Sequence, residues 1–435
     1  MTTENSHRLL LLGGKPIGSS EIAKAAKSKG YSVIVTDYLP IEESPVKQIA
    51  DESWELSTDD IPALKERAIE YGIEGVLSGV HDFNIGKMAE LAAELNLPCY
   101  CTPQQQTFCN DKVSFKAFCA EHGLDVAREY SEDDEALKDP SIYPLAVKPR
   151  DGSGSRGFSR CDSPDELDQA IENAKRSSFA SKALIEEFVD SDALIAQYTA
   201  HGGKVIFSGL TDKHSATIGD TGSPIMALQI APSIYTKEYL SKVDPAMKET
   251  LSALGMIEGP IWVELFHKNG RFIVNEIGYR FGGSLTYYLV KELYGIDQLD
   301  LLIDHAMGNS SSIPGAKEEF EGVYVIWPLH LKPGTIAKVE GIDWLEGQDG
   351  FVAFVPVHRE GENIQDWGSA QQVFAYLHLK GDDINDLLSS MKEVQANLKV
   401  KDTEGGDMLF SLFDPSAEDN MPDIVLAHRA ESAKA

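Results

Sequence analysis

Two hydrophobic periods alternate through the first 110 residues, and this restricts the fold more than any single motif. RLLLLGG has the continuous apolar run of a buried strand, and SSEIAKAAKSKG has the spacing of an amphipathic helix. YSVIVTDY, IPALKERAIEYGI, GVLSGV and NIGKMAELAAELNLPCYC continue the exchange. Strands that alternate with helices in this way pair in parallel, so residues 1–110 are predicted to form an α/β unit, helices covering both faces of its sheet.

From residue 111 the texture changes. NDKVSFKAFCAEHGL reads as a helix closed by Gly123, and PLAVKPRDGSGSRGFSRC reads as a hairpin around a glycine-rich loop. SPDELDQAIENAKRSS is helical with Ser163 as N-cap. Strands joined by turns follow, with Gly202-Gly203 marking one turn, then helices around the hairpin WVELFHKNGRFIVNE. Beyond 312 the chain is strand-rich, with one helix in DDINDLLSSMKEVQANL. The expected divisions are 1–110, 111–312 (with a lid over 125–185), 313–415, and a polar tail, 416–435, that should fray.

Composition narrows the function. A net charge of −30 argues against nucleic acid as a partner, so an anion would have to be held by a few local cations, such as Lys148, Arg150 and Arg156. No stretch approaches the roughly 18–20 apolar residues of a membrane span, and Leu9–Leu12 runs into GGKPIGSS as a strand would, not as an export signal. Five cysteines without a CxxC pair fit packing roles in a reducing, cytoplasmic setting.

Four stretches could carry chemistry. Glu264 and Glu276 flank the turn H-K-N-G-R. A two-residue Asn269-Gly270 loop would place them on opposite faces of the hairpin; a three-residue loop from Lys268 would place them on one face, about 7 Å apart. On one face they would need a cation between them, and an all-oxygen donor set suits magnesium. Lys148 ends a strand just before Gly152, Gly154 and Gly157, whose backbone could approach a phosphate. Lys112 opens a helix that Asp111 can cap, a position where capping gives a cation no reason to be. Glu186-Glu187-Phe188-Val189 leaves a strand with backbone groups and an apolar lid that could suit an adenine edge. Each signal alone is matched by a bland reading: a solvated charge, a mobile turn, or an acidic strand edge.

In series they are informative. Helix-start lysine, strand-end lysine, glycine loop, EEFV hinge, glutamate hairpin and E-x-x-x-R-x-G-G together resemble the ATP-grasp superfamily, over about residues 5–400. The resemblance implies a multidomain α/β and α+β chain, in which a Rossmann-like leading domain precedes the ATP-grasp domain and a smaller β-rich domain closes the chain. It is similar to the carboxylate–amine ligase branch, including L-amino acid ligases and biotin-carboxylase-like members. It implies that Lys112 and Lys148 hold the ATP phosphates under a loop of Gly152, Ser153, Gly154, Ser155, Arg156 and Gly157. Glu186, Glu187 and Val189 would edge the adenine, Glu264 and Glu276 would bind Mg2+ (with Mn2+ as a substitute), and Arg280 would steady an acyl phosphate or the substrate carboxylate. Partners would be a small carboxylate and a small amine, and a homodimer would be in keeping with the family. Two positions depart from the pattern. Gly278 stands where an asparagine is usual, with Asn275 or water as the replacement ligand, and Ala193 stands near the usual ribose ligand, with Asp192 as the substitute.

The implied reaction makes an acyl phosphate from ATP and a carboxylate, which the amine then attacks. Alternatives are a bicarbonate-using carboxylase and an ATP-binding protein without turnover. Other motifs carry less. Gly13-Gly14-x-x-x-Gly18 with Asp37 does not match the dinucleotide fingerprint. His81-Asp82 at a strand end is a candidate substrate contact, while Lys213, His214, Phe281 and Tyr287 carry no assignment.

Overall fold

The computed structural model describes residues 7–151, 157–219, 224–313 and 322–433. The first unit is the predicted parallel sheet. Strands β1 (Arg8–Leu12), β2 (Ser32–Asp37), β3 (Glu52–Glu55) and β4 (Gly75–Ser78) lie in the order β3-β2-β1-β4. Helices α1 (Pro16–Ser28), α2 (Ile61–Tyr71) and α3 (Asp82–Leu95) connect and cover them, and Leu9 to Leu12 are fully buried. Asp37 is spent inside this unit. It accepts from the Gly14 and Leu39 N–H groups and the Ser44 hydroxyl and pairs with buried Lys47, which accounts for it without a ribose.

Helices α4 (Pro103–Asn110) and α5 (Lys112–Glu121) lead into a four-stranded sheet of order β6-β9-β7-β8. Its strands are β6 (Glu129–Tyr130), β7 (Leu145–Pro149), β8 (Ser159–Cys161) and β9 (Ala183–Glu187), with α6 (Leu167–Ser177) packed on it. The short β5 (Asp125–Val126) instead joins the main sheet. That sheet also takes β10 (Ala193–His201), β11 (Lys204–Ala216), β12 (Ile225–Ala231), β13 (Gly259–Lys268) and β14 (Arg271–Gly278). Helices α7 (Thr236–Lys242), α8 (Asp244–Ala253), α9 (Tyr287–Tyr294) and α10 (Gln298–Ala306) pack around it.

The division expected at 312 separates residues but not the sheet. β15 (Val323–Leu331) pairs with β12 through Gln229↔Ile326 and Ile230↔Val325. After β16 (Gly334–Glu340), β17 (Phe351–Pro356), β18 (Asn363–Ile364) and β19 (Val373–Gly381), the main sheet reads β17-β19-β15-β12-β11-β10-β13-β14-β5. Helix α11 (Ile342–Glu346) and the predicted helix α12 (Ile384–Asn397), capped by Asp383, flank it.

The frayed tail expected from 416 is corrected by helix α13 (Asp423–Ser432). Its Ile424 and Val425 join the core against α12, and His428 Nε2 lies 2.8 Å from the buried Asp212 carboxylate on β11. Two apolar residues and one histidine on a single face are enough to seat a helix that otherwise reads as polar. No helix among the described residues is long and apolar enough to cross a membrane.

Candidate active site

The β13–β14 hairpin settles the question its sequence leaves open. Lys268 pairs with Arg271, so the loop is the two-residue one, with Asn269 and Gly270 at φ 53° and 74°. Such a loop alone would split the glutamates between faces. The register then shifts between Glu264 and Leu265: Leu265 faces Val274, whereas Glu264 faces Glu276, and Asn275 is the extra residue. A β-bulge therefore restores both carboxylates to one face, as direct partners and not as diagonal neighbours.

Asn275 also ties the bulge to its surroundings. Its amide nitrogen donates to Glu264 Oε1 at 2.6 Å, and its amide oxygen accepts from Lys148 Nζ at 2.6 Å. Lys213 on β11 donates to the other Glu264 oxygen at 2.6 Å, and Lys112 Nζ lies 3.3 Å from Glu276 Oε2. Burial alone would raise the Glu264 pKa, but Lys213, Asn275 and Lys148 outweigh it and hold the carboxyl below its ordinary value. Glu264 is therefore an anion at neutral pH despite being 9% exposed.

Lys112 and Lys148 are held from two sides. Asp111 caps α5 and receives both Nε and Nη2 of Arg150 at 2.9 and 2.6 Å, which fixes the start of α5 against the end of β7. Lys148 also pairs with Glu186, which Lys116 contacts from the other side while lying 2.7 Å from Glu129. Burial would raise the Glu186 pKa, yet Lys148 and Lys116 together lower it.

Arg280 follows the hairpin and turns toward the first unit. Its Nε and Nη2 both bond the Asp82 carboxylate at the start of α3, and its Nη1 donates to the Phe281 carbonyl at 2.9 Å. The guanidinium also stands 5.2 Å from the Trp262 ring centroid, within cation–π range. Trp262 pairs with Gly278, and a Cβ at 278 would overlap the indole. The departure from asparagine at 278 thus has a steric cause: the tryptophan fills that space. A cavity of about 1080 Å³ joins these parts, lined by Glu264, Glu276, Arg280, Asp82, Lys213 and Trp262 among others.

A family model for the ATP-grasp domain matches residues 141–287. Residues 141–287 are an ATP-grasp domain. Over 284 residues the chain is 25% identical to the formate-dependent phosphoribosylglycinamide formyltransferase of Wolinella succinogenes, covering 64% of this chain and 71% of that protein. Its fold is similar to an L-amino acid ligase from Bacillus licheniformis (TM-score 0.73, 19% identity, 92% of this chain and 100% of that one). It is also similar to a biotin carboxylase from Campylobacter jejuni (TM-score 0.77, 17% identity, 97% and 98%).

The expected site residues divide. Lys112 pairs with Glu276, Lys148 reaches Glu264 through Asn275, the two glutamates face each other across the hairpin, and Arg280 shares the cavity with both. Glu186 stands apart: its residue pairs with both Glu129 and Ala146 in the centre of a sheet, and its carboxylate is buried between two lysines. That carboxylate is occupied in holding Lys148 and Lys116. Glu187 lines a separate cavity of about 380 Å³ with Lys116, Arg128 and Arg271, and the Val189 carbonyl accepts from Ser191. Gly152, Ser153, Gly154, Ser155 and Arg156 lie outside the described residues; Gly157 has φ 76°, and a Cβ there would collide with Ser177. Asp192, expected to replace the usual ribose ligand, meets His214 at 2.9 Å.

Sequence reasoning missed Lys116 and Trp262 and left Lys213 without a role. The tryptophan had a readable signal, since W-x-E opposite E-x-G is a large–small complement once the glutamates pair. Lys116 sits one helical turn after Lys112, the spacing that puts both on one side of α5.

Proposed function

We propose that this chain is an ATP-dependent carboxylate–amine ligase: it phosphorylates a small organic carboxylate and passes the acyl group to an amine, releasing ADP and phosphate. One observation carries the reading. The paired glutamates and Arg280 open on the same cavity as Ile17, Ile225, Met226, Trp262 and Tyr376. Apolar walls suit an organic acid with a carbon skeleton; bicarbonate has nothing to bury there.

The donor set suits magnesium. Two carboxylates and an amide oxygen are hard ligands, and magnesium commonly takes one or two carboxylates and completes its shell with phosphate oxygens and water. Glu264 and Glu276 would hold it, with the Asn275 oxygen at hand where Gly278 offers none. When bound, the metal would neutralise charge on the transferring phosphoryl group. Lys112 and Lys213 now pair with Glu276 and Glu264, and Lys148 with Glu186, and all three would meet the phosphates. The loop Gly152–Gly157 would cover the phosphates, and Glu187 and Val189 would edge the adenine.

Catalysis in this scheme is positioning and charge neutralisation. A carboxylate becomes electrophilic once phosphate is its leaving group, so no nucleophilic side chain is required. The test is a screen of carboxylate and amine pairs for ADP release. ADP that needs both partners is the expected result; ADP with bicarbonate alone would replace this reading by the carboxylase one.

A further inference from the structure

A carboxylate of the N-terminal unit holds Arg280. Asp82 lies at the start of α3, just beyond β4, and its carboxylate takes the Nε and Nη2 of Arg280 from a residue 198 positions away. A guanidinium has five N–H groups. Asp82 uses two and the Phe281 carbonyl uses one on Nη1. One N–H therefore remains on each terminal nitrogen, the pair that can grip two oxygens of a carboxylate or phosphate. Arg280 is 8% exposed, and both residues line the large cavity. Its ring contact with Trp262 fixes one face. Without Asp82 the guanidinium would lose its in-plane anchor and keep only the Phe281 carbonyl and the tryptophan.

We infer that Asp82 is a positioning residue: it sets the plane of Arg280, so that the two remaining N–H groups receive the oxygens of the transferring phosphoryl or acyl group. The inference rests on the reading of Arg280 given above. It also gives the first domain a part in catalysis besides substrate binding. His81 and Phe83, which flank Asp82 and line the same cavity, become neighbours of the group that holds Arg280.

The test is binding of inorganic phosphate to the MgADP-loaded protein, measured by calorimetry, which needs no turnover. Asp82→Asn should weaken phosphate roughly tenfold, as Arg280→Ala does, while MgADP affinity changes less than twofold; a bidentate charge-assisted contact is worth about that much. In an Arg280→Ala background Asp82→Asn should add nothing, because the two act as one unit. Asp82→Glu keeps the charge but displaces the guanidinium, and it should weaken phosphate with an unchanged Tm. If Asp82→Asn or Asp82→Glu binds phosphate like the wild type, or if the Asp82 and Arg280 effects add, the positioning role is overturned. Failure of the ligase reading is a different result: no carboxylate–amine pair would release ADP, whatever the phosphate affinities.

Discussion

At residue 278 one missing side chain decides what its neighbour can be. Gly278→Asn restores the usual family residue but drives its Cβ into the Trp262 ring. Overpacking of this kind costs about 1–3 kcal/mol. Urea unfolding should show that loss for Gly278→Asn, and Trp262→Val in the same chain should recover most of it. A single variant as stable as the wild type would mean that the tryptophan is free to move aside. The charged residues are equally specific. Glu276→Gln keeps the shape of the side chain but removes the charge that Lys112 now faces and that magnesium would need. Turnover should fall by 10³-fold or more, about 4 kcal/mol, while Tm changes little; normal activity would remove Glu276 from the site. Glu264, Glu276, Lys112 and Lys148, which the structure brings together, were legible in the sequence through their order along the chain and not through any one of them. The burial of Glu186 between Lys116 and Lys148 was not legible, because it depends on two strands meeting a helix 70 residues away.

Among the elements, the bulge at Asn275 and the last helix carry the most. Deleting Asn275 should let β13 and β14 pair regularly from the Asn269-Gly270 turn onward, which keeps Glu276 directly across from Glu264 on one face but removes the amide that links Glu264 to Lys148. The shortened protein is expected to fold and to need a higher magnesium concentration for ATP turnover, because the carboxylates stay paired while the Asn275 amide is gone; an unchanged magnesium dependence would show that this amide takes no part in holding the metal. The bulge was not legible in the sequence, since one extra residue leaves no pattern when both loop lengths are compatible with the turn residues. Helix α13 was hidden for a different reason: its apolar face is only a few residues wide. Asp212 accepts from Ser233 at 2.6 Å, from the Ile234 N–H at 3.2 Å and from His428 at 2.8 Å. His428→Ala leaves this buried acid one donor short and should cost about 1–3 kcal/mol in urea unfolding. No change would return the terminal residues to the role of a loose tail. Asp212 adjoins Lys213, the partner of Glu264, so the helix braces the strand that serves the site.

Over the whole molecule, a single sheet joins the hairpin to the C-terminal strands, and its far end holds two buried histidines. Burial pushes His330 on β15 down to about 4 and His378 on β19 down to about 3, from an ordinary value near 6.5. Neither ring nitrogen of His330 has a hydrogen-bond partner among the described residues. The unfolded chain therefore binds a proton at each site where the folded chain does not. Their contribution to stability is complete above pH 6.5 and is lost as pH falls toward 4. His330→Phe should flatten the fall between pH 6.5 and 5 by about 1 kcal/mol per pH unit; parallel stability curves would show that His330 is already protonated or exposed. The parallel first sheet and the strand-rich close were both readable from periodicity. The continuity of the main sheet across residue 312 was not, because the β12–β15 pairing joins residues nearly a hundred positions apart.

The central claim is that a carboxylate is activated by phosphorylation at the Glu264–Glu276–Arg280 site, and isotope transfer tests it most directly. The substrate carboxylate is labelled with oxygen-18, the reaction is run with ATP and the amine, and the released phosphate is examined by mass spectrometry. One labelled oxygen per phosphate is predicted, because the acyl–oxygen bond breaks when the amine attacks. Unlabelled phosphate formed together with the amide would contradict an acyl phosphate and the account built on it.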